Sequence, residues 1–264
     1  ALSINRNLNL GQNYFSDVLA RFERSLKDNK DNKFSLVFDT LSTELEGGLC
    51  AKELAMVVAP PGVGKSLYLV NQGVQALMEN KNVLYISLEM SEDRIASRFD
   101  SVMTLIPQKK LKNSVSLLQK RLDIFKNKFP GGRLLIKEFP TGLANINDIR
   151  SLLVQLNNYE DFTPDVILVD YLELLRAVND TMAEYQAQQR ISEDLRGLAV
   201  EANVLLWTAT QTNRQGRSVK LITDAELADA YGKIRTCDYA ISLNQTEEEF
   251  DDGTMRCYVM KSRN

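Results

Sequence analysis

Apolar residues along this chain fall into two kinds of run. One kind has helical spacing. Phe15, Val18, Leu19, Phe22 and Leu26 recur at i, i+3, i+4, i+7 and i+11, which predicts an amphipathic helix over 14–27. The polar run Asp28 to Lys33 follows and reads as a flexible connector. Residues 1–33 are therefore expected to form a tethered helix ahead of a main domain over 34–264. That helix is expected either to fold back on its own domain or to dock on a neighbouring copy.

The second kind is a short, unbroken apolar block. Such blocks lie at 54–58, 83–87, 134–136, 166–170 and 204–209, and their continuity predicts strands covered on both faces. Helical stretches separate them. One opens at Ser66, one is capped by Ser91 with Glu92 and Asp93 in its first turn, one runs over 146–156 behind Asn145, and one covers 183–202. Two more strands, near 239–243 and 255–260, flank the acidic stretch Glu247 to Gly253, which reads as a solvated turn. Strand and helix in alternation predict an α/β fold. Its sheet is mostly parallel and flanked by helices, with an antiparallel hairpin at the C-terminal end. No internal repeat is present.

Composition narrows the function. With 44% apolar residues the chain can bury a full core. A net charge of −3 excludes a globally basic nucleic-acid binder but leaves room for a local basic channel. The chain contains no histidine, which removes histidine triads, ligands and general bases together. Cys50, Cys237 and Cys257 lack metal spacing and are expected to be reduced, buried residues of an intracellular protein. No membrane-length apolar run or signal peptide is visible, so a cytoplasmic location is expected. The chain opens on alanine and is read as an excised domain.

One segment carries most of the chemistry. Residues 59–66 read Ala-Pro-Pro-Gly-Val-Gly-Lys-Ser, directly after a buried strand and directly before a helix. That is the context of a phosphate-binding P-loop. Gly62 and Gly64 let successive N–H groups turn inward on an anion, and the helix start adds its positive dipole end. Lys65 is positioned to reach the β- and γ-phosphates and Ser66 to hold Mg²⁺. The candidate nucleotide contacts are Ala59, Pro60, Pro61, Gly62, Val63, Gly64, Lys65 and Ser66, with Leu67 behind them. The usual opening glycine is Ala59 here, a small departure.

Three further residues join this core. Asp170 ends an apolar strand and is expected beside the P-loop, holding Mg²⁺ through water. Hydrolysis needs a group to orient or deprotonate water. Tyr171 occupies the place where some P-loop enzymes carry that glutamate, and Glu173 lies further on. Glu89 is the better candidate, provided that strand 83–87 neighbours the P-loop strand. Gln211, after the strand 204–209, is a candidate γ-phosphate sensor or merely a polar residue at a strand end.

The motifs Ser87-Leu88-Glu89-Met90, Val169-Asp170-Tyr171-Leu172-Glu173-Leu174-Leu175 and Thr210-Gln211-Thr212-Asn213-Arg214 resemble those of DnaB-type replicative helicases. So do the helix Gln189 to Ala199 and the terminal Lys261-Ser262-Arg263-Asn264. The resemblance covers about residues 38–264. It implies a RecA-like P-loop NTPase motor in a homohexameric ring, with ATP and Mg²⁺ between subunits. Single-stranded DNA would pass through the pore with 5′-to-3′ polarity, and a primase and a helicase loader would be partners. Carried over by position, Lys65 and Ser66 bind phosphate and Mg²⁺, Asp170 supports Mg²⁺, Glu89 is the catalytic carboxylate and Gln211 the sensor. Lys261 and Arg263 would act in trans on the neighbour's γ-phosphate; otherwise they are two surface cations on one face of an end strand.

Loops over about 177–188 and 213–235 would face DNA, with Arg214, Arg217, Lys233 and Arg235 as candidate contacts. The family's usual Leu-Arg-Glu-Ser-Gly stretch reads Leu227-Ala228-Asp229-Ala230-Tyr231, so its arginine contact does not carry over. Lys109 to Lys112 reads as a solvated face. Two other P-loop readings stay open at this point: a RecA-like recombinase filament and a KaiC-like ATPase that does not act on DNA.

Overall fold

A computed structural model describes residues 14, 15, 18, 19, 22, 33–178, 183–212 and 231–263. The chain divides into two compact units, Ala1–Lys33 and Phe34–Asn264. In the first, Val18, Leu19 and Phe22 are helical; most of the helix expected over 14–27 lies outside the described residues.

Seven strands form the sheet of the second unit: β1 (Leu54–Ala59), β2 (Val83–Ser87), β3 (Leu134–Glu138), β4 (Val166–Asp170), β5 (Leu205–Gln211), β6 (Tyr239–Asn244) and β7 (Arg256–Ser262). Their order is β3-β2-β4-β5-β1-β6-β7. All neighbouring pairs are parallel except β6 with β7, which is antiparallel. One condition set by the sequence is not met: β2 neighbours β3 and β4 rather than the P-loop strand β1. β5 lies between β1 and β4, so Asp170 approaches the P-loop from the second strand over.

The unbroken apolar blocks have a direct cause. β1, β2, β4 and β6 are buried along their whole lengths, because helices cover both faces of the sheet. The strand period of two then divides the core. Met56, Val58, Leu84, Ile86, Ile167, Val169 and Leu206 pack on one face with Leu195, Leu198 and Ala199. Ala55, Val57, Tyr85, Leu168 and Trp207 pack on the other with Tyr68, Leu69, Val70 and Leu77. Helix α1 (Lys65–Met78) supplies the latter partners. Fully burying one such large side chain stabilises the fold by about 1.5–3 kcal/mol.

Helix α2 (Glu92–Thr104) starts behind Ser91, but the Ser91 side chain makes no capping bond. The Glu138 carboxylate serves instead, accepting from the Glu92 N–H at 3.3 Å. Helix α3 (Val115–Lys128), which the apolar pattern left unassigned, follows. Helix α4 (Ile146–Glu160) has Asn145 as its cap in a full capping box with Asp148. Helix α5 (Glu184–Ala202) precedes β5, and the short helix α6 (Tyr231–Thr236) precedes β6. The acidic stretch is not a plain turn. Glu247–Asp251 forms a short helix, with Thr246 and Glu249 in a capping box and three glutamates in the first turn. Of the cysteines only Cys237 is fully buried; Cys50 and Cys257 are half-buried.

Candidate nucleotide-binding site

The loop between β1 and α1 owes its shape to two glycines. Gly62 has φ 84° and Gly64 φ 108°, conformations that a side chain would strain. Lys65, the first residue of α1, is 7% exposed. Its ammonium donates to the Ala59 and Pro60 carbonyls at 3.3 and 3.4 Å, which holds it inside the loop. Burial lowers its pKa below the usual lysine range, while the carboxylates of Glu173, Asp170 and Glu89 push the other way.

The loop opens on a cleft of about 450 Å³. Pro61, Gly62, Gly64, Lys65, Ser66 and Leu67 form one wall. Ala59, Pro60 and Val63 do not line that wall. Ala59 and Pro60 are buried behind the cleft and serve it through the carbonyls that hold Lys65. Val63 is half-buried and packs its side chain on the core that α1 covers. Its N–H donates to the Pro60 carbonyl at 3.4 Å, closing the turn. An apolar side chain between two glycines gains more from that core than from a cleft lined by charges.

Glu89 and Met90 after β2, Arg98 of α2, Gln108, Tyr171 and Gln211 complete the cleft. The Leu88 N–H donates to the Asp170 carbonyl at 2.9 Å, tying the segment before Glu89 to the end of β4. Glu89 thus reaches the cleft although its strand is not next to β1. Gln211 ends β5 as the register partner of Ala59, and it lines the cleft with Tyr171. Arg98 and Gln108 carry no motif that singles them out as cleft residues; only the packing of α2 and the segment after it brings them there.

Asp170 is 1% exposed. Its Oδ2 accepts from the Tyr85 hydroxyl at 2.6 Å, whereas Oδ1 is buried with no hydrogen-bond partner. That hydrogen bond and burial together push the Tyr85 pKa well up, burial being the larger cause. An unpartnered buried carboxylate oxygen normally costs stability unless something fills its lone pairs. A hydrated cation would do so. Among the described residues no three His, Cys, Asp or Glu side chains cluster as a metal cage. A single buried carboxylate oxygen beside the P-loop is a donor that fits Mg²⁺, which takes few carboxylates and completes its shell with phosphate oxygens and water.

The DnaB-like helicase C terminal domain family matches residues 36–231. The chain belongs to the DnaB-like helicase family. A DnaB-like replicative helicase of Enterobacteria phage T4 is 32% identical over 254 residues, covering 94% of this chain and 53% of that protein. A probable plasmid replicative DNA helicase of Chlamydia trachomatis is 27% identical over 243 residues, covering 87% and 52%. The chain thus spans about half the length of the curated relatives it matches. A DnaB-like replicative helicase described with its primase interactions superposes with TM-score 0.74 at 18% identity, covering 96% of this chain and 62% of that one. A second solved structure, an ATPase domain, superposes with TM-score 0.77 at 16% identity, covering 96% and 92%. The fold is that of the RecA-like ATPase domains, and the family implies a nucleotide-binding domain.

The remaining site candidates of this DnaB-like domain lie off the cleft. Lys261 donates to the carbonyls of Ile234 and Arg235 at 3.0 and 2.7 Å. Arg263 donates to Asp238 Oδ1 at 3.0 Å and to the Arg235 carbonyl at 3.2 Å. Both cations therefore sit over the end of α6, and neither lines the cleft of its own chain. Arg235 is exposed beside them. Arg214 and Arg217 lie outside the described residues. Lys233 is a correction to the DNA-contact expectation. It is 4% exposed and its ammonium is 2.8 Å from Glu173, so it presents no cation to a passing strand. Its position early in a short helix, beyond an unassigned segment, gave no sign of burial. Among the described residues, no helix is long and apolar enough to cross a membrane.

Proposed function

We propose that this domain hydrolyses ATP with Mg²⁺ and drives a homohexameric ring of its own chain along single-stranded DNA, as the motor of a replicative helicase. The observation that carries this reading is the convergence of Lys65, Glu89 and Gln211 on one cleft beside the buried, unpartnered oxygen of Asp170. The P-loop N–H groups and Lys65 would hold the β- and γ-phosphates. Ser66 and Asp170 would hold Mg²⁺, which neutralises charge between those phosphates. Glu89 would take the proton of the attacking water, and Gln211 would hydrogen-bond the γ-phosphate and register its loss. Lys261 and Arg263 would complete the site of the next subunit. Arg235, with Arg214 and Arg217, would supply phosphate contacts to DNA. Residues 1–33 would act as a linker that joins neighbouring subunits. A primase and a loader are proposed partners; a primase is named for one of the superposed helicases. Family membership favours this motor over a recombinase filament or a KaiC-like ATPase.

The test pairs two variants. Lys65→Ala should abolish hydrolysis, because the phosphates lose their main cation. Glu89→Gln should bind a fluorescent ATP analogue normally while phosphate release falls by about a hundredfold or more, because an amide cannot accept the proton. Normal turnover in Glu89→Gln would remove it from the catalytic role.

A further inference from the structure

Beside the nucleotide cleft lies a buried ion pair that the hydrolysis chemistry above does not use. One oxygen of Glu173, Oε1, accepts from three donors: the Thr210 hydroxyl, the Gln211 N–H at 3.1 Å and the Lys233 ammonium at 2.8 Å. Lys233 also donates to Gln188 Oε1 of α5 at 3.0 Å. The side chains are 5% exposed for Lys233 and 17% for Glu173. The second oxygen, Oε2, is buried without a partner. Close approach of α6 to α5 makes the contact possible. A Cβ added at Gly232 would lie 2.6 Å from the Tyr185 hydroxyl, so a side chain there would displace the Tyr185 ring end.

The position of this pair matters because of charge. The Glu173 carboxylate acts on Lys65, as do Asp170 and Glu89. It accepts from the backbone N–H of Gln211, whose side chain lines the cleft together with Lys65, so it lies directly behind a residue of the cleft wall. An uncompensated buried anion there would repel the phosphates and compete for Lys65. The Lys233 ammonium, 2.8 Å from Glu173, offsets that charge, so the incoming phosphates do not meet an additional bare anion. The same carboxylate fixes the end of β5 at Thr210 and Gln211, one side chain of which lines the cleft.

We infer that Glu173 and Lys233 are a charge-neutral positioning pair for the nucleotide site: Glu173 sets the place of Gln211, and Lys233 masks the Glu173 charge from the phosphates. This rests on the ATP reading above. The pair touches neither substrate nor reacting atoms, so its two roles separate in kinetics. The first acts on turnover through Gln211. The second acts on nucleotide affinity.

The experiment uses the full chain and measures the Kd of a fluorescent ATP analogue with Mg²⁺, without DNA, alongside steady-state kcat and KM. Lys233→Met should raise Kd and KM by about tenfold or more, since it leaves the carboxylate bare. The double variant Glu173→Gln, Lys233→Met should return Kd to within about threefold of the unaltered chain. Glu173→Ala should lower kcat by about tenfold with little change in Kd, and Glu173→Gln should restore kcat, because its amide oxygen still accepts from Thr210 and Gln211. An unchanged Kd in Lys233→Met, or a double variant as weak as the single, overturns the inference. Where Lys233→Met does not fold, the double variant is compared with Glu173→Gln alone. Equal Kd supports the masking role and a further tenfold loss overturns it. Absence of nucleotide binding by the unaltered chain would instead sink the ATP reading itself.

Discussion

Gln211 stands opposite Ala59 in the parallel ladder between β5 and β1. The last residue of β5 is thereby level with the first residue of the P-loop. β5 separates the P-loop strand from β4, so Asp170 enters from one strand further and Glu89 from two. The three polar groups thus approach Lys65 from different distances along one sheet edge. The strand carboxyl ends form the crevice where ligands bind in open α/β sheets.

Lys261 and Arg263 lie off the cleft of their own chain, and the Arg263 side chain is 47% exposed. Either residue changed to alanine should cut ATP turnover by about a thousandfold if it acts on the neighbour's phosphates. The fold should persist, because Asp238 keeps Arg196 as a partner. Mixing Lys65→Ala with Arg263→Ala chains is the sharper check. Some interfaces then unite an intact P-loop with an intact arginine, and activity should return. A strictly proportional loss in every mixture argues against shared sites.

Val18, Leu19 and Phe22 are helical within the Ala1–Lys33 unit. Burying such side chains against a neighbour would add several kcal/mol per interface, about 1.5–3 kcal/mol each before the cost of ordering the connector. Changing Val18 and Phe22 together to aspartate should shift the oligomer distribution toward smaller species. Nucleotide affinity should be unaltered, since the P-loop lies in the other unit. Sedimentation with a non-hydrolysable nucleotide at low micromolar protein reads this directly, and an unchanged distribution would refute the assembly role.

Asp238 joins three elements. Its Oδ2 accepts from the Leu54 N–H at 3.0 Å, and its Oδ1 accepts from Arg196 and Arg263, each at 3.0 Å. Asp238→Ala leaves the Leu54 donor unpaired and takes the carboxylate partner from two guanidinium groups at the base of the P-loop strand, although Arg263 keeps its bond to the Arg235 carbonyl. Both arginines reach solvent, which moderates the loss to about 2–3 kcal/mol. Asp238→Asn should cost less, since an amide oxygen still accepts from Leu54. Urea unfolding of both variants, with equal m-values as a check, measures the difference. A loss below about 0.5 kcal/mol for Asp238→Ala would show that this hub is not structural.

Burial pushes the Cys237 thiol up from 9.0 to about 12, and its Sγ donates to the Ile234 carbonyl at 3.0 Å. The folded state keeps the proton in a range where the unfolded chain loses it. Stability from this group is therefore complete below pH 9 and falls between pH 9 and about 12, by ~1.4 kcal/mol per pH unit. Tyr68, Tyr85 and Tyr239, also pushed up by burial, steepen the fall above about pH 10. Denaturant midpoints should decline from pH 9 to pH 10 relative to pH 8, and Cys237→Ala should decline less steeply between pH 9 and 10. Parallel slopes for the two proteins would show that Cys237 does not contribute.

Much of the architecture is legible along the chain because its strands are buried on both faces. Continuous apolar blocks then mark β1, β2, β4 and β5 within a residue or two of their observed limits. α3 escaped that reading because it buries no residue fully and so leaves a weak apolar signature. The short helix Glu247–Asp251 escaped because its stability comes from a capping box and from carboxylates at a helix start rather than from apolar spacing.

By itself, the sequence determined the chemistry that is local in the chain. A P-loop is a run of eight residues whose glycines and lysine act through their own backbone and side chain, so Ala59 to Ser66 are legible without a fold. Only the tertiary structure decided what depends on pairing between distant segments. Even within the loop, the core that draws Val63 away from the cleft is built from residues far along the chain. Strand order, which inserts β5 between β1 and β4, follows from the packing of the whole sheet. Lys233 and Glu173 lie 60 residues apart, and nothing in either neighbourhood announces their contact. A lysine in a basic stretch reads as a solvated cation, because an isolated charge is costly to bury. Here a carboxylate, a glutamine and a glycine at the helix crossing remove that cost, and they meet only when the chain has folded.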